Sequence, residues 1–177
     1  MEKIRSKRKS PRLKDYDYGK NGAYFITVCT QNRENIFSVI AEENAEAVLT
    51  EYGMIVEKWI LELPEKYTSV SVDNYVIMPN HVHLLLTIAD GLFEEKGKPS
   101  IASIMGWWKY QCSKEINEKR SSQGQSVFQR SFFDHIIRNQ HDYDEIYNYI
   151  EENPLRWKWD RLYGDMKKAG AETTPLQ

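Results

Sequence analysis

The chain has 177 residues, of which 41% are hydrophobic, 12% aromatic and 28% charged, with a formal net charge of −2. That length fits one domain with tails, and the apolar share is too high for global disorder and sufficient for a packed core. No apolar run reaches the ~18 residues a membrane span requires and no apolar h-region follows Met1, so the sequence reads as a cytoplasmic protein without a membrane partner.

The two cysteines, Cys29 and Cys112, lack C-x-x-C spacing and read as free, buried thiols. Charge is unevenly distributed. Residues 1–14 carry seven basic side chains against Glu2, a balance of +6, whereas 15–177 hold 17 basic and 25 acidic side chains, or −8. The body repels a polyanion on average, so any nucleic-acid affinity has to be local. The arm 1–14, with Lys7, Arg8, Lys9 and Arg12, reads as a disordered, phosphate-seeking tail, although composition alone is equally compatible with a solubilising one. Residues 15–164 form the expected domain and 165–177 a polar tail.

Ala23 to Arg33 alternates and is rich in aromatic and β-branched residues, the pattern of a half-buried strand. From about Glu43 to Lys66, apolar residues from Ala45 to Leu63 recur at three- and four-residue spacing until Pro64, which predicts one long amphipathic helix. Ser71–Met78 and His81–Ile88 are β-type runs joined by Pro79-Asn80, a dipeptide suited to a tight turn because proline fixes φ and asparagine tolerates unusual backbone angles, and so predict a hairpin. Ser100 caps a second helix from Ile101 to about Lys119. Val127–Arg138 reads as a fourth strand or an irregular extended segment, and Asp142–Asn153 as a third helix stopped by Pro154. The order β-α-β-β-α-β plus a terminal helix is an α+β, ferredoxin-like split βαβ: an antiparallel sheet with two crossover helices on one face.

His81 and His83 fall on one face of their strand because side chains alternate with period two, while Val82 points the other way. Apolar flanks make this a central strand, where two imidazoles on one face need a metal or a hydrogen-bonded partner; two solvent-facing histidines are the bland alternative. On the last helix, Tyr143, Ile146, Tyr147 and Ile150 form an apolar stripe, so both tyrosines in it are expected to pack in the core. Tyr149 lies off the stripe with Asn153 one turn later on the same flank; Tyr147 with Glu151 has the same spacing, and an ordinary boundary tyrosine before a helix end is the plain reading.

Two stretches, NYVIMPNHVHLLLT at 74–87 and QRSFFDHIIRNQHDYDEIYNYIEENPLRW at 129–157, resemble the single-tyrosine HUH transposases, most closely the branch associated with repetitive extragenic palindromes. The likeness extends more loosely over 18–160. It implies a ferredoxin-like fold, His81 and His83 as metal ligands, Asn153 as the third ligand where the insertion-sequence branch has glutamine, and Tyr149 as nucleophile on a C-terminal helix. Tyr147 has no counterpart.

The activity so implied is metal-dependent cleavage and rejoining of single-stranded DNA at hairpins, through a 5′-phosphotyrosine and a free 3′-OH. A phenol with a pKa of about 10 is a poor nucleophile at neutral pH, so it needs deprotonation or a strongly polarised phosphate. A hard divalent ion such as Mg²⁺ or Mn²⁺ supplies the latter, although two histidines and an amide also suit Zn²⁺ or Ni²⁺. Two other functions fit the same residues: a domesticated hairpin-DNA-binding protein that no longer cuts, and a metal-dependent hydrolase in which the histidines activate water. Bases stack on aromatics while cations track phosphates, so Arg156-Trp157-Lys158-Trp159, together with Arg130 and Arg138, are candidate DNA contacts. The tryptophans there and at Trp107-Trp108 are nevertheless expected to pack in the core. Both a monomer and a homodimer are compatible with this pattern.

Overall fold

The computed structural model describes residues 22–89, 99–160 and 162. The arm 1–14, with Lys7, Arg8, Lys9 and Arg12, and the tail 165–177 lie outside the described residues.

Four strands build the main sheet: β1 (Gly22–Cys29), β4 (Val70–Met78), β5 (His81–Ile88) and β6 (Phe133–Ile136). A short hairpin, β2 (Ser38–Ile40) and β3 (Ala47–Leu49), stands apart. The helices are α1 (Glu51–Leu61), α2 (Leu63–Lys66), α3 (Ile101–Lys119) and α4 (Gln140–Glu152). The sheet order is β4-β5-β1-β6, and every neighbouring pair is antiparallel. Taken among the long strands alone, this is the order 2-3-1-4 of the ferredoxin-like split βαβ.

Period-two alternation divides the sheet. Tyr24, Ile26 and Val28 of β1 and Val82, Leu84, Leu86 and Ile88 of β5 face α1 and α3, where Val56, Ile60, Ile104 and Trp108 close the main core. Each such fully buried aliphatic side chain contributes about 1.5–3 kcal/mol through loss of water contact. The intervening residues face α4, where Phe25 and Leu85 pack with Ile150 and the half-buried Val76, Tyr143 and Ile146. A bulge between Val72 and Asn74 shifts the parity of β4, so that Val72 and Tyr75 both pack against the main core. The α4 layer is tied down at the same place: Asn74 Nδ2 donates to Glu151 Oε1 at 2.8 Å and to the Tyr147 carbonyl at 3.4 Å.

Several expectations change or narrow. The helix read over 43–66 begins only at Glu51, because Ala47–Leu49 is a strand paired with Ser38–Ile40. Ala45 adopts φ 54°, which no helix tolerates, and Thr50 caps α1 by accepting from Gly53 N at 3.1 Å while its hydroxyl lies 2.6 Å from the Ile36 carbonyl oxygen. In the segment 127–138 only Phe133–Ile136 is strand, with an isolated bridge from Phe128 to Thr30. Lys109 Nζ, on α3, donates to the Gln129 and Arg130 carbonyls and takes acceptors a sheet ladder would need. Tyr147, expected in the core, is 40% exposed. Cys112 is a buried free thiol as expected, but Cys29 is only half-buried.

Candidate active site

The histidines sit on β5, in the sheet centre between β4 and β1. His81 is fully buried and His83 is 3% exposed. Their Nε2 atoms lie 3.1 Å apart, which the alternation of a strand produces when both rings lean to one side. The opposite ring nitrogens are held. His81 Nδ1 lies 2.9 Å from Asn80 Oδ1, and Asn80 Nδ2 donates to the Leu162 carbonyl at 3.1 Å. With its amide nitrogen so engaged, Asn80 presents its oxygen to the ring, so His81 carries its proton on Nδ1 and its lone pair on Nε2. His83 Nδ1 lies 2.8 Å from Thr27 Oγ1. A hydroxyl both donates and accepts, so Thr27 serves either tautomer of His83: Nε2–H toward His81, or Nε2 as a second lone pair when a cation is present.

The helix α4 crosses this face and brings the phenol to it. Its start is set by Asn139, whose Oδ1 accepts from Asp142 N at 2.9 Å. Near its end Tyr149, 36% exposed, places its hydroxyl 3.5 Å from His83 Nε2. Phe25 stacks on the His83 ring at 5.1 Å and meets the Tyr149 ring edge-on at 5.9 Å, fixing both. Asn153 keeps helical angles, φ −57° and ψ −42°, although Pro154 follows, and so remains one turn below Tyr149. It is 1% exposed, and its Oδ1 has no hydrogen-bond partner among the described residues. An orphaned buried carbonyl oxygen is costly unless something else occupies it, and a cation is the natural partner.

One further donor was not legible in the sequence. After Pro154 the chain doubles back through a 3₁₀ turn, Trp157–Trp159, and delivers Asp160 so that one of its oxygens lies within 4.8 Å of His81 and His83 ring nitrogens. Trp157, 7% exposed, anchors this return by packing on His81 at 5.9 Å, and Asp160 Oδ1 accepts from Leu162 N at 2.6 Å. Tyr149, Asn153, Arg156, Trp159 and Asp160 line one cleft. The two imidazoles and the Asp160 carboxylate, whose ligand atoms all lie within 4.8 Å of one another, suit a divalent cation and include no thiolate for a soft one, and Asn153 shares the cleft with Asp160.

The other candidate DNA contacts are dispersed. Arg156 lines the cleft and pairs with Glu152, and Lys158 is exposed next to it. Arg138 stands at the far end of α4, where Asp142 accepts from its backbone N–H at 3.3 Å. Arg130 lines a separate depression with Lys109 and Tyr110. Trp107 is half-buried, Trp108 and Trp157 are buried as expected, but Trp159 is 79% exposed. Among the described residues no helix is long and apolar enough to cross a membrane.

Residues 20–153 match the family model described as "Transposase IS200 like". An uncharacterized protein of Haemophilus influenzae is 33% identical over 173 residues, covering 89% of this chain and 94% of its own length. The REP-associated tyrosine transposase of Escherichia coli K12 is 23% identical over 148 residues, covering 84% and 75%. A solved structure described as a REP-associated tyrosine transposase bound to a REP hairpin superposes with a TM-score of 0.55 at 20% identity, covering 86% of this chain and 77% of that one. The chain belongs to the IS200-like transposase family, and the relatives it is similar to include REP-associated tyrosine transposases.

Proposed function

We propose that this chain cuts and rejoins single-stranded DNA at hairpins, with Tyr149 as nucleophile and His81, His83, Asn153 and Asp160 as donors to Mg²⁺ or Mn²⁺. The observation that carries the reading is the 3.5 Å separation of the Tyr149 hydroxyl from His83 Nε2, itself 3.1 Å from His81 Nε2, within one chain. That proximity favours a tyrosine acting in cis, in a monomer. Hairpin DNA as substrate is supported by the solved relative, which is described as bound to a REP hairpin.

A divalent ion held by His81, His83, Asn153 and Asp160 would supply Lewis-acid polarisation of the scissile phosphate. Tyr149 Oη attacks phosphorus as its proton passes to solvent, to which the partly exposed side chain has access. The Oη–P bond forms, the P–O3′ bond breaks, and the departing oxygen takes up a proton to become a 3′-OH. The phosphodiester energy is retained in the 5′-phosphotyrosine, so a 3′-OH reverses the step without ATP. Phe25 holds the Tyr149 and His83 rings against each other, and the Asn80 and Thr27 contacts keep Nε2 lone pairs turned inward. Arg156 and Lys158 lie closest to the cleft and are the first candidates for phosphate contacts; Arg130, Arg138 and the 1–14 arm would serve more distant DNA.

The test is denaturing electrophoresis of the protein with labelled hairpin DNA and Mn²⁺. The wild type gives a DNA-linked band that chelator and Tyr149→Phe both abolish. Specific binding with no such band in the wild type would assign the chain to DNA binding without cleavage.

A further inference from the structure

A groove of about 410 Å³ lies beside the cleft, between the β2–β3 hairpin and the return after α4. Val39, Ile40 and Ala41 line one side and Leu155, Lys158 and Trp159 the other. Pro79 also lines it, two residues from His81. Three large apolar side chains here meet solvent: Trp159 at 79%, Val39 at 64% and Leu155 at 60%. Such a concentration of exposed apolar surface marks a binding surface. The groove adjoins the candidate active site, since Trp159 lines both it and the cleft of Tyr149, Asn153 and Asp160.

We propose that this groove seats the nucleobase of the single-stranded nucleotide adjoining the phosphate presented to Tyr149, with the base stacked on Trp159 and its phosphate at Lys158. The inference rests on the reading of Tyr149 as the DNA nucleophile and adds a subsite to it. The chemistry of the lining selects this occupant. A flat indole beside apolar walls accepts any base face, and a cation next in sequence suits the attached phosphate. Glu42, on the hairpin side, repels the backbone and leaves the Lys158 and Arg156 edge as its path. The β2–β3 hairpin thereby gains a role as the outer wall of a substrate channel.

The test uses the full chain and a short, fluorescein-labelled oligothymidylate, with anisotropy titrations at one fixed salt concentration. Trp159→Ala is expected to weaken binding roughly 5- to 150-fold, as loss of one base-stacking platform does, and Trp159→Phe to restore most of it. Val39→Glu, on the facing wall and exposed enough not to disturb folding, should weaken binding as well. The same oligonucleotide carrying 5-iodouracil should photocross-link to the peptide containing Trp159. Unchanged affinity in both wall variants, cross-links confined to residues 1–14, or a concentration-dependent dimer that Trp159→Ala dissolves would overturn the proposal. The two readings separate cleanly: a Tyr149 adduct with groove variants that bind normally removes only the groove, whereas cross-linking at Trp159 with no adduct removes only the chemistry.

Discussion

Thr27→Val isolates the part of the site that prepares the histidines. Valine keeps the shape of threonine and leaves no cavity, so the loss is confined to the 2.8 Å contact with His83 Nδ1. Thr27 is 7% exposed and His83 3%, so water does not readily replace the hydroxyl, and the unpartnered ring nitrogen costs about 1–3 kcal/mol of stability. The effect on the cation is separable. Losing the partner that orients a ligating histidine lowers metal affinity by about 10- to 100-fold. At a Mn²⁺ concentration roughly 100 times the wild-type Kd, linkage stabilises the wild type by about 2.7 kcal/mol and the variant by about 0.4–1.4 kcal/mol. For a chain of this size that is a rise in Tm of about 5–10 °C against about 1–5 °C. Thermal melts with and without Mn²⁺ read both effects. An equal Mn²⁺-induced rise in the two proteins would refute the assignment of His83 Nε2 as a donor oriented through Thr27.

Asp160→Asn, which keeps the size but removes the charge, should weaken Mn²⁺ binding by about tenfold or more in calorimetric titration while leaving the apo melting temperature within about 2 °C, since the side chain is only half-buried. Gly53→Ala should destabilise where an ordinary helix position would gain, because the added Cβ falls 2.0 Å from the Phe37 carbonyl oxygen; a loss of about 2–3 kcal/mol is expected in urea unfolding, and a gain would contradict the close approach of α1 to the Phe37 backbone. Partial burial raises the Asp142 carboxyl, but hydrogen bonds and charge from His135 and Arg138 together hold it below the usual carboxylate value. A depressed carboxyl stabilises above the unfolded pKa of about 3.9 and loses that contribution as pH falls through the folded value. The Tm difference between wild type and Asp142→Asn should therefore be full at about pH 6 and shrink as pH falls below the unfolded pKa of about 3.9, as scanning calorimetry would show.

Features set by neighbouring residues were legible in the sequence. The shared face of His81 and His83 needs only the period of a strand, and α3 follows from the Ser100 cap and its own spacing, which is why its bounds agree with expectation. The pairing of Tyr149 with Asn153 needs only one helical turn. What escaped depends on distant partners. Ala45, Val48 and Leu49 continue the helical stripe of α1 in sequence, and it is the Thr50 bonds to Ile36 and Phe37 that make Ala47–Leu49 a strand. Asp160 is brought to the histidines by the burial of Trp157 and the Leu162–Asn80 contact, neither of which has a periodic signature. The same return leaves Trp159 in solvent, against the general preference of tryptophan for cores.

The central claim is that one phenolic oxygen carries the DNA, and peptide mapping of the protein–DNA adduct tests it most directly. Trypsin releases residues 139–156 as one peptide containing Tyr143, Tyr147 and Tyr149. The account predicts a 5′-phosphonucleotide on Tyr149 alone, with a free 3′-OH on the released strand; an adduct on Tyr147 or Tyr143, or one that persists in Tyr149→Phe, would contradict it.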